Sequence, residues 1–151
     1  MGDRLPAPVA RLTVITLGVS DMRVSIAFYQ SLGFARKFGA TGEEVAFFET
    51  GGAVLGIYPW SKLARDATLP DRPRPVAFRG TTLAWNCRST DEVDAVLAFA
   101  VDMGAVLLKP AHQTDYGGYS GYFSDPDGHP WEVVVAPGIE VGEDRRVYLP
   151  D

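Results

Sequence analysis

One carboxylate in the second half of the chain stands where an apolar side chain is expected. Glu132 lies in the segment PWEVVV, where Trp131 and a run of valines offer apolar side chains to both faces of a predicted strand. Its carboxylate is suited to hold a metal ion, to act as a general acid or base, or to bind a hydrogen-bond donor. The alternative is a structural carboxylate that pairs with an arginine or faces solvent. We expect Glu132 to face a ligand.

The residues before this strand predict a tight turn. In the sequence DPDG, Pro126 presets its own φ and Gly128 takes a positive φ at little cost. The flanking segments are therefore expected to pair as a hairpin. We interpret Asp125 and Asp127 as turn-forming residues without a chemical role.

The other reactive side chains give weaker signals. His129 lies in the hairpin turn and His112 in a polar loop, and neither has a recognisable pairing with the single cysteine. Cys87 lies among strand-like residues, so we predict a packed thiol rather than a nucleophile. One cysteine excludes a disulfide within the chain and indicates a reducing compartment.

Composition limits the classes of partner. The chain has 151 residues, of which 46% are hydrophobic, and this length is typical of one domain with a sizeable core. Its net charge of −5 argues against nucleic acid and anionic membranes as partners. No apolar run approaches the length of about 18 residues that a membrane span needs. We therefore expect a cytoplasmic protein.

The predicted elements occur twice in the same order. A strand over 12–19 leads into a helix that ends at Gly33, and a strand over 81–87 leads into a helix that ends at Gly104. Apolar strand-like runs follow each helix, at 44–49 and 53–58 in the first half and at 106–109, 121–124 and 131–136 in the second. The repeat predicts an α+β fold of two βαβββ modules in one domain, residues 1–151. The modules span 8–59 and 81–137, joined by a linker or lid over 60–80 and followed by a tail over 138–151.

Alternation along the first strand of each module separates a core face from an open face. Ile15, Leu17 and Val19 are expected under one helix, and Leu83, Trp85 and Cys87 under the other. The opposite faces carry small or polar side chains, which would line a concavity between curved sheets. These residues are Val14, Thr16 and Gly18 in the first strand and Thr82, Ala84 and Asn86 in the second.

Aromatic and basic residues near this concavity have two interpretations each. Tyr58 and Trp60 either line the concavity or pack at its edge, and the same alternatives hold for a flap formed by Tyr116, Tyr119 and Tyr122. The basic residues of the linker are expected to be solvated, with an anion-binding lid as the alternative. They are Lys62, Arg65, Arg72, Arg74 and Arg79.

Two motifs resemble the vicinal oxygen chelate superfamily, which includes glyoxalases, bleomycin resistance proteins and extradiol dioxygenases. LGVSDMRVSIAFYQSLGF over 17–34 is similar to the first strand and helix of that family, and GGYSGYFSDPDGHPWEVVVAP over 117–137 is similar to its final hairpin. The resemblance implies paired βαβββ modules that form a curved mixed-sheet cup, often in a dimer. It also implies metal ligands on the cup faces of four strands.

The positions that match those ligands are Val14, Gly56, Thr82 and Glu132. Only Glu132 is a good ligand, whereas a catalytic divalent site needs three or four histidine or carboxylate ligands. We therefore predict no metal and no other cofactor.

The resulting prediction is a homodimer that binds a small organic molecule in its cup without a metal. The ligand-binding residues would be Val14, Thr16, Gly56, Tyr58, Trp60, Thr82, Asn86, Tyr116, Tyr119 and Glu132. The alternative is an enzyme, either a metal-dependent lyase, isomerase or dioxygenase completed by a partner chain, or a metal-free enzyme with Glu132 as the catalytic acid or base. A purely structural or regulatory dimer is a third class.

Overall fold

The computed structural model describes residues 7–71 and 77–151 of the chain. Across these residues, three α-helices accompany two four-stranded mixed sheets and a small two-stranded sheet. The predicted α+β fold with two βαβββ modules is therefore confirmed.

The first module contains one helix and four strands. The strand order is β1-β4-β3-β2, with β1 parallel to β4 and the other neighbours antiparallel. The sequence had not indicated β2 as a separate strand. The elements are β1 (Val14–Val19), α1 (Met22–Ser31), β2 (Ala35–Lys37), a 3₁₀ turn (Gly39–Thr41), β3 (Ala46–Glu49) and β4 (Val54–Pro59).

The predicted linker over 60–80 begins with a helix. α2 (Trp60–Asp66) follows β4 directly and packs against β1 and β4. Residues 72–76, which include Arg72 and Arg74 of the basic set, lie outside the described residues.

The second module repeats the arrangement of the first. Its strand order is β5-β8-β7-β6, with β5 parallel to β8. The predicted tail contains a short hairpin of β9 (Glu140–Val141) and β10 (Val147–Tyr148). The module's elements are β5 (Leu83–Asn86), α3 (Thr90–Asp102), β6 (Val106–Gln113), β7 (Tyr119–Ser124) and β8 (Pro130–Val135).

Side-chain caps fix where the two long helices begin. Asp21 accepts a 3.1 Å hydrogen bond from Val24 N at the start of α1, and Ser89 Oγ accepts one of 3.1 Å from Glu92 N at the start of α3. The carboxylate of Glu92 accepts from Arg88 N, one residue before the position that a reciprocal capping box uses. These caps place the first residue of α1 at Met22 and that of α3 at Thr90.

The core lies on the helix-facing sides of the two sheets. Leu17 and Val19 of β1 and Cys87 after β5 are buried, as the alternation predicted. Rings join the modules through this core, since Tyr29 of α1 packs against Phe48 of β3 and Trp131 of β8 at centroid distances of 5.8 and 6.0 Å. Burial raises the pKa of the Cys87 thiol to about 12, which leaves it protonated and unreactive.

The turn between β7 and β8 does more than reverse the chain. Asp125 is 3% exposed and accepts a 2.6 Å hydrogen bond from the hydroxyl of Tyr29, while Asp127 accepts bonds from Ser20 N, Ser20 Oγ and Ser25 Oγ. The interpretation of both aspartates as turn-forming residues was therefore incomplete. Their carboxylates bind the second module to α1 of the first.

Among residues 7–71 and 77–151, every helix is too short or too polar to cross a membrane.

Candidate functional site

The alternation of β8 places Glu132 on the sheet face away from α3. Trp131 and Val133, its neighbours in the strand, are 5% and 0% exposed and belong to the core under the helix. Successive side chains of a strand point to opposite faces, so Glu132 projects from the other side, where it is half-buried. The strand period alone is enough to determine its position.

Tyr122 of β7 is the partner of Glu132. The two residues are directly opposite in the antiparallel β7–β8 ladder, which places their side chains next to each other on one face. The hydroxyl of Tyr122 donates a hydrogen bond to Oε2 of Glu132. This bond, followed by burial, raises the pKa of Tyr122 to about 12. From the sequence, Tyr122 was considered only as part of an aromatic flap. The register of a hairpin around the DPDG turn nevertheless predicts that Tyr122 pairs with Glu132.

Small and polar side chains of β5 lie beside this pair. Ala84 is the register partner of Glu132 in the parallel β5–β8 ladder and is exposed, and Thr82 and Asn86 flank it on the same face. Farther along the same face, the side chains of Ser120 and Val134 are covered, since each residue is 3% exposed. The accessible part of the sheet is therefore centred on Glu132.

The predicted residues of the first module also share one face. Thr16 is exposed and lies opposite Gly56 in the β1–β4 ladder, and Val14 is 41% exposed. A Cβ atom built on Gly56 would lie 3.1 Å from Thr16 Oγ1 and 3.5 Å from Val14 Cγ1. Because Gly56 has no side chain, the side chains of Thr16 and Val14 can lie close to its backbone.

Trp60 lies at the end of this face and takes part in a contact between the modules. Its ring covers Gly18, where an added Cβ atom would lie 2.9 Å from Trp60 Cε3, and it stacks on the ring of His129 at 6.1 Å between centroids. The guanidinium carbon of Arg79 lies over the ring of Trp60, 5.2 Å from its centroid. The side chain of Arg79 also contacts Nδ1 of His129 at 3.0 Å and donates to the backbone oxygen of Asp127.

Arg79 therefore takes part in the contact between the modules, whereas the sequence predicted that its side chain would be solvated. Tyr58 lies next to the cluster of Trp60, His129 and Arg79, since it is the register partner of Gly18. Its side chain is half-buried. Nε2 of His129 is 2.7 Å from the backbone oxygen of Gly18, which ties the turn of the second module to β1.

The remaining tyrosines of the predicted flap occupy different faces. Tyr116 is 55% exposed and close enough to Tyr122 to contribute electrostatically to its raised pKa. Tyr119 lies on the helix-covered face instead, where its hydroxyl donates a 2.7 Å hydrogen bond to Asp94 of α3. The structure therefore places Tyr116 near Tyr122, the partner of Glu132, and Tyr119 on the opposite face of the sheet.

The matched ligand positions do not provide a set of metal donors. Val14 and Gly56 have no donor atom, and Thr82 offers a neutral hydroxyl. Throughout the part of the chain that the structure describes, histidine, cysteine, aspartate and glutamate side chains nowhere form a group of three or more that would hold a metal ion. The residues of one chain thus do not fit the divalent ion that the family's enzymes suggest.

The fold and the two open faces define a protein of the glyoxalase type. Residues 11–133 match the family model of the Glyoxalase/Bleomycin resistance protein/Dioxygenase superfamily. The chain belongs to this superfamily, and the resemblance seen in the sequence is confirmed.

Similar proteins are found among solved structures and characterised sequences. The crystal structure of a glyoxalase-related enzyme from Fulvimarina pelagi is 33% identical, with a TM-score of 0.83 over 95% of this chain and 100% of that chain. A metallothiol transferase FosB of Lysinibacillus sphaericus is 28% identical over 82% of this chain and 81% of its own length. A lactoylglutathione lyase of Agrobacterium tumefaciens, 23% identical with a TM-score of 0.64 over 85% of this chain and 95% of that chain, shares the fold.

Proposed function

We propose that this protein binds a small organic molecule on the open face of its second sheet, at Glu132 and Tyr122, without a catalytic metal. The observation that supports this most directly is the hydrogen-bonded pair itself, which projects from the face that α3 leaves uncovered. A half-buried carboxylate beside a phenol is unfavourable for packing alone, since its desolvation is only partly compensated by one hydrogen bond.

The chemistry of the pair indicates which ligands it would select. Oε2 of Glu132 accepts from Tyr122, while Oε1 has no hydrogen-bond partner among the described residues. A carboxylate oxygen is an acceptor only, so it favours a cationic or hydrogen-bond-donating group on the ligand. The rings of Tyr122 and Tyr116 would then contact the flat part of an organic molecule.

Binding of aromatic amines and of their neutral analogues tests this proposal. Calorimetry should show that Glu132→Gln weakens amine binding by about tenfold or more, since a hydrogen bond to a charged group contributes about 1.5–3 kcal/mol. Glu44→Gln is a matched control, because Glu44 is exposed and far along the chain from the pair. Equal affinities of wild type and Glu132→Gln for every ligand would refute a role of Glu132 in binding.

An enzyme is the second candidate, and the same hydrogen bond favours it. A tyrosine hydroxyl that donates a hydrogen bond to a carboxylate is positioned to exchange a proton with a bound substrate. The metallothiol transferase and the glyoxalase-related enzyme named above support turnover as well as binding. Tyr122→Phe separates the two functions, because it would abolish proton transfer while retaining the ring that contacts a ligand.

We also infer that the protein forms a homodimer. β1 and β5 are each the last strand of a four-stranded sheet, so one edge of each has no strand partner among the described residues. An exposed strand edge offers a row of unpaired backbone groups to another chain. Light scattering at micromolar concentration should give the mass of a dimer, and a monomer mass would contradict the inference.

A further inference from the structure

A cavity lies between the two modules, apart from the pair of Glu132 and Tyr122. Its volume is about 940 Å³, within the range of known small-molecule sites. β1 and the β3–β4 turn form one wall, β5 forms another, and the hairpin of β9 and β10 forms the third. Neither Glu132 nor Tyr122 lines this space, which we call the inter-module cleft.

The floor of the inter-module cleft is aromatic. Phe34, Trp85 and Trp131 line it, and the ring of Phe34 lies 5.5 Å from that of Trp85 and 5.7 Å from that of Trp131. Trp131 is buried, but Phe34 and Trp85 remain partly exposed although they pack against the core. Incompletely covered rings at the bottom of a cleft favour an apolar ligand that completes their burial.

The rim of the inter-module cleft is basic, in contrast to the acidic chain as a whole. Arg88, Arg145 and Arg146 line it, and Glu92 is the acidic residue among its described lining residues. The carboxylate of Glu92 is already occupied by Arg88 N. The lining residues of the rim thus include three arginines and one glutamate in a protein whose net charge is −5, while Glu49 and Asp144 lie near Arg145 and Arg146.

Arg88 and Arg146 fix the position of the hairpin of β9 and β10 through hydrogen bonds to backbone oxygens. Arg88 donates to the backbone oxygens of Val141 and Gly142 at 3.2 and 2.7 Å, and Arg146 Nε donates to that of Gly51 at 3.0 Å. The third wall is thereby attached to both modules. The inter-module cleft is consequently built by side-chain contacts and is not a gap left by an unattached tail.

Arg145 is the residue of the rim that is least engaged by the fold. Its Nη2 is 3.8 Å from Glu49 in a pair whose side chains are both more than half exposed, at 56% and 52%, and such pairs contribute little to stability. Its φ is +68°, a backbone conformation that glycine or asparagine adopts at lower cost. An arginine is thus present where the backbone favours another residue, which is consistent with a role for its guanidinium.

We propose that the inter-module cleft binds a small aromatic anion, with its ring on Phe34 and Trp85 and its carboxylate at Arg145 and Arg146. A guanidinium binds a carboxylate through parallel hydrogen bonds, and the ring of the ligand excludes water from the aromatic floor. This site is separate from the proposed site at Glu132, where the carboxylate of the protein favours ligands of the opposite charge.

Naphthoate and its neutral analogue naphthamide test the inter-module cleft by titration calorimetry. The wild-type protein should bind naphthoate more tightly than naphthamide. Arg145→Gln should weaken naphthoate by about tenfold or more and leave naphthamide nearly unchanged, because only the charged hydrogen bonds are lost. Arg145→Lys keeps the charge but loses the paired hydrogen bonds, so it should bind naphthoate more weakly than the wild type and more tightly than Arg145→Gln.

Two further variants decide where the probe binds. Arg23→Gln removes the same charge from an 82% exposed side chain outside the cleft and should leave naphthoate binding unchanged. Glu132→Gln should also leave it unchanged, so a failure of the site at Glu132 would not affect this result. The proposal is overturned if naphthoate shows no binding up to millimolar concentration, if Arg145→Gln binds it as tightly as wild type, or if Glu132→Gln alters its affinity as much as Arg145→Gln does.

Discussion

The hydroxyl of Tyr29 donates a 2.6 Å hydrogen bond to Oδ2 of Asp125, and both side chains are buried at the junction of the two modules. The same hydroxyl oxygen accepts a 3.2 Å hydrogen bond from Nε1 of Trp131. One phenol therefore satisfies a buried carboxylate and a buried indole at once. It therefore joins α1 of the first module to β8 and to the turn before it in the second.

Removing this hydroxyl should destabilise the protein. In Tyr29→Phe, Asp125 loses a donor and Trp131 loses an acceptor in a buried environment, so we expect a loss of about 1–3 kcal/mol in the free energy of unfolding. Urea denaturation measures the loss. Tyr148→Phe is the matched control, since the Tyr148 hydroxyl binds Asp144 at an exposed position and its removal should cost less than about 0.5 kcal/mol. Equal effects of the two variants would contradict the role of Tyr29.

Alkaline pH should destabilise the protein through the same residue. Burial, and then the charge of Asp125, raise the pKa of Tyr29 well above 10.0. The unfolded chain releases this proton near its ordinary pKa, so the stabilisation is complete below that value and decreases as the pH rises from there towards the folded pKa. In this range the wild type should lose up to about 1.4 kcal/mol per pH unit more than Tyr29→Phe does. Parallel stability curves for the two proteins would exclude the effect.

The pKa of Tyr122 should depend on Glu132. Its hydrogen bond to that carboxylate is the main cause that raises the pKa to about 12, so Glu132→Gln should lower it towards the ordinary value of 10.0. Ultraviolet titration of the phenolate, as the difference between each protein and its Tyr122→Phe derivative, follows this group alone. An unchanged pKa in Glu132→Gln would mean that burial, not the pair, determines the shift.

The purified protein should contain less than stoichiometric divalent metal. Val14 and Gly56 provide no donor at two of the four matched ligand positions, and Thr82 provides a weak one. Elemental analysis of untagged protein measures the content. A content of about one metal ion per chain that disappears in Glu132→Ala would refute the prediction and would favour a site completed by a partner chain.

Gly121 of β7 should not tolerate a side chain. A Cβ atom at this position would lie 2.6 Å from Leu97 Cδ1 of α3 and 2.9 Å from the backbone oxygen of Lys109 in β6. Because the backbone of β6 has little freedom to move, Gly121→Ala should destabilise by about 1–3 kcal/mol in thermal or urea unfolding. Gly39→Ala, at a position with no heavy atom within 4 Å, is the control and should change stability by less than about 0.5 kcal/mol.

The fold was predictable because its signals are local. Strand alternation and the repeated order of elements identified both modules, and the alternation placed Glu132 and Thr16 on open faces. The missed strand, β2, has only three residues, Ala35–Lys37, which is too short for a periodic pattern. α2 was missed because Trp60–Asp66 has only seven residues, fewer than a clear helical period needs.

The contacts between the modules were not predictable from the sequence, for a physical reason. Asp125 and Tyr29 are 96 residues apart and Ser20 and Asp127 are 107 apart, so no local pattern relates them. Turn geometry alone accounts for both aspartates of the DPDG motif, so nothing in the motif indicated their hydrogen bonds to the first module. The pairing of Tyr122 with Glu132, by contrast, was predictable, because counting residues outward from the turn along both strands places the two opposite each other.

The hairpin of β9 and β10 also has a consequence for the order in which the molecule is assembled during translation. Its residues follow both modules in the chain, and its contacts reach back to Gly51 in one module and to Arg88 in the other. A chain that emerges from the ribosome folds its earlier segments first. The hairpin is synthesised after both modules to which it is attached, so the third wall of the inter-module cleft is completed only after the residues of the other two walls have left the ribosome.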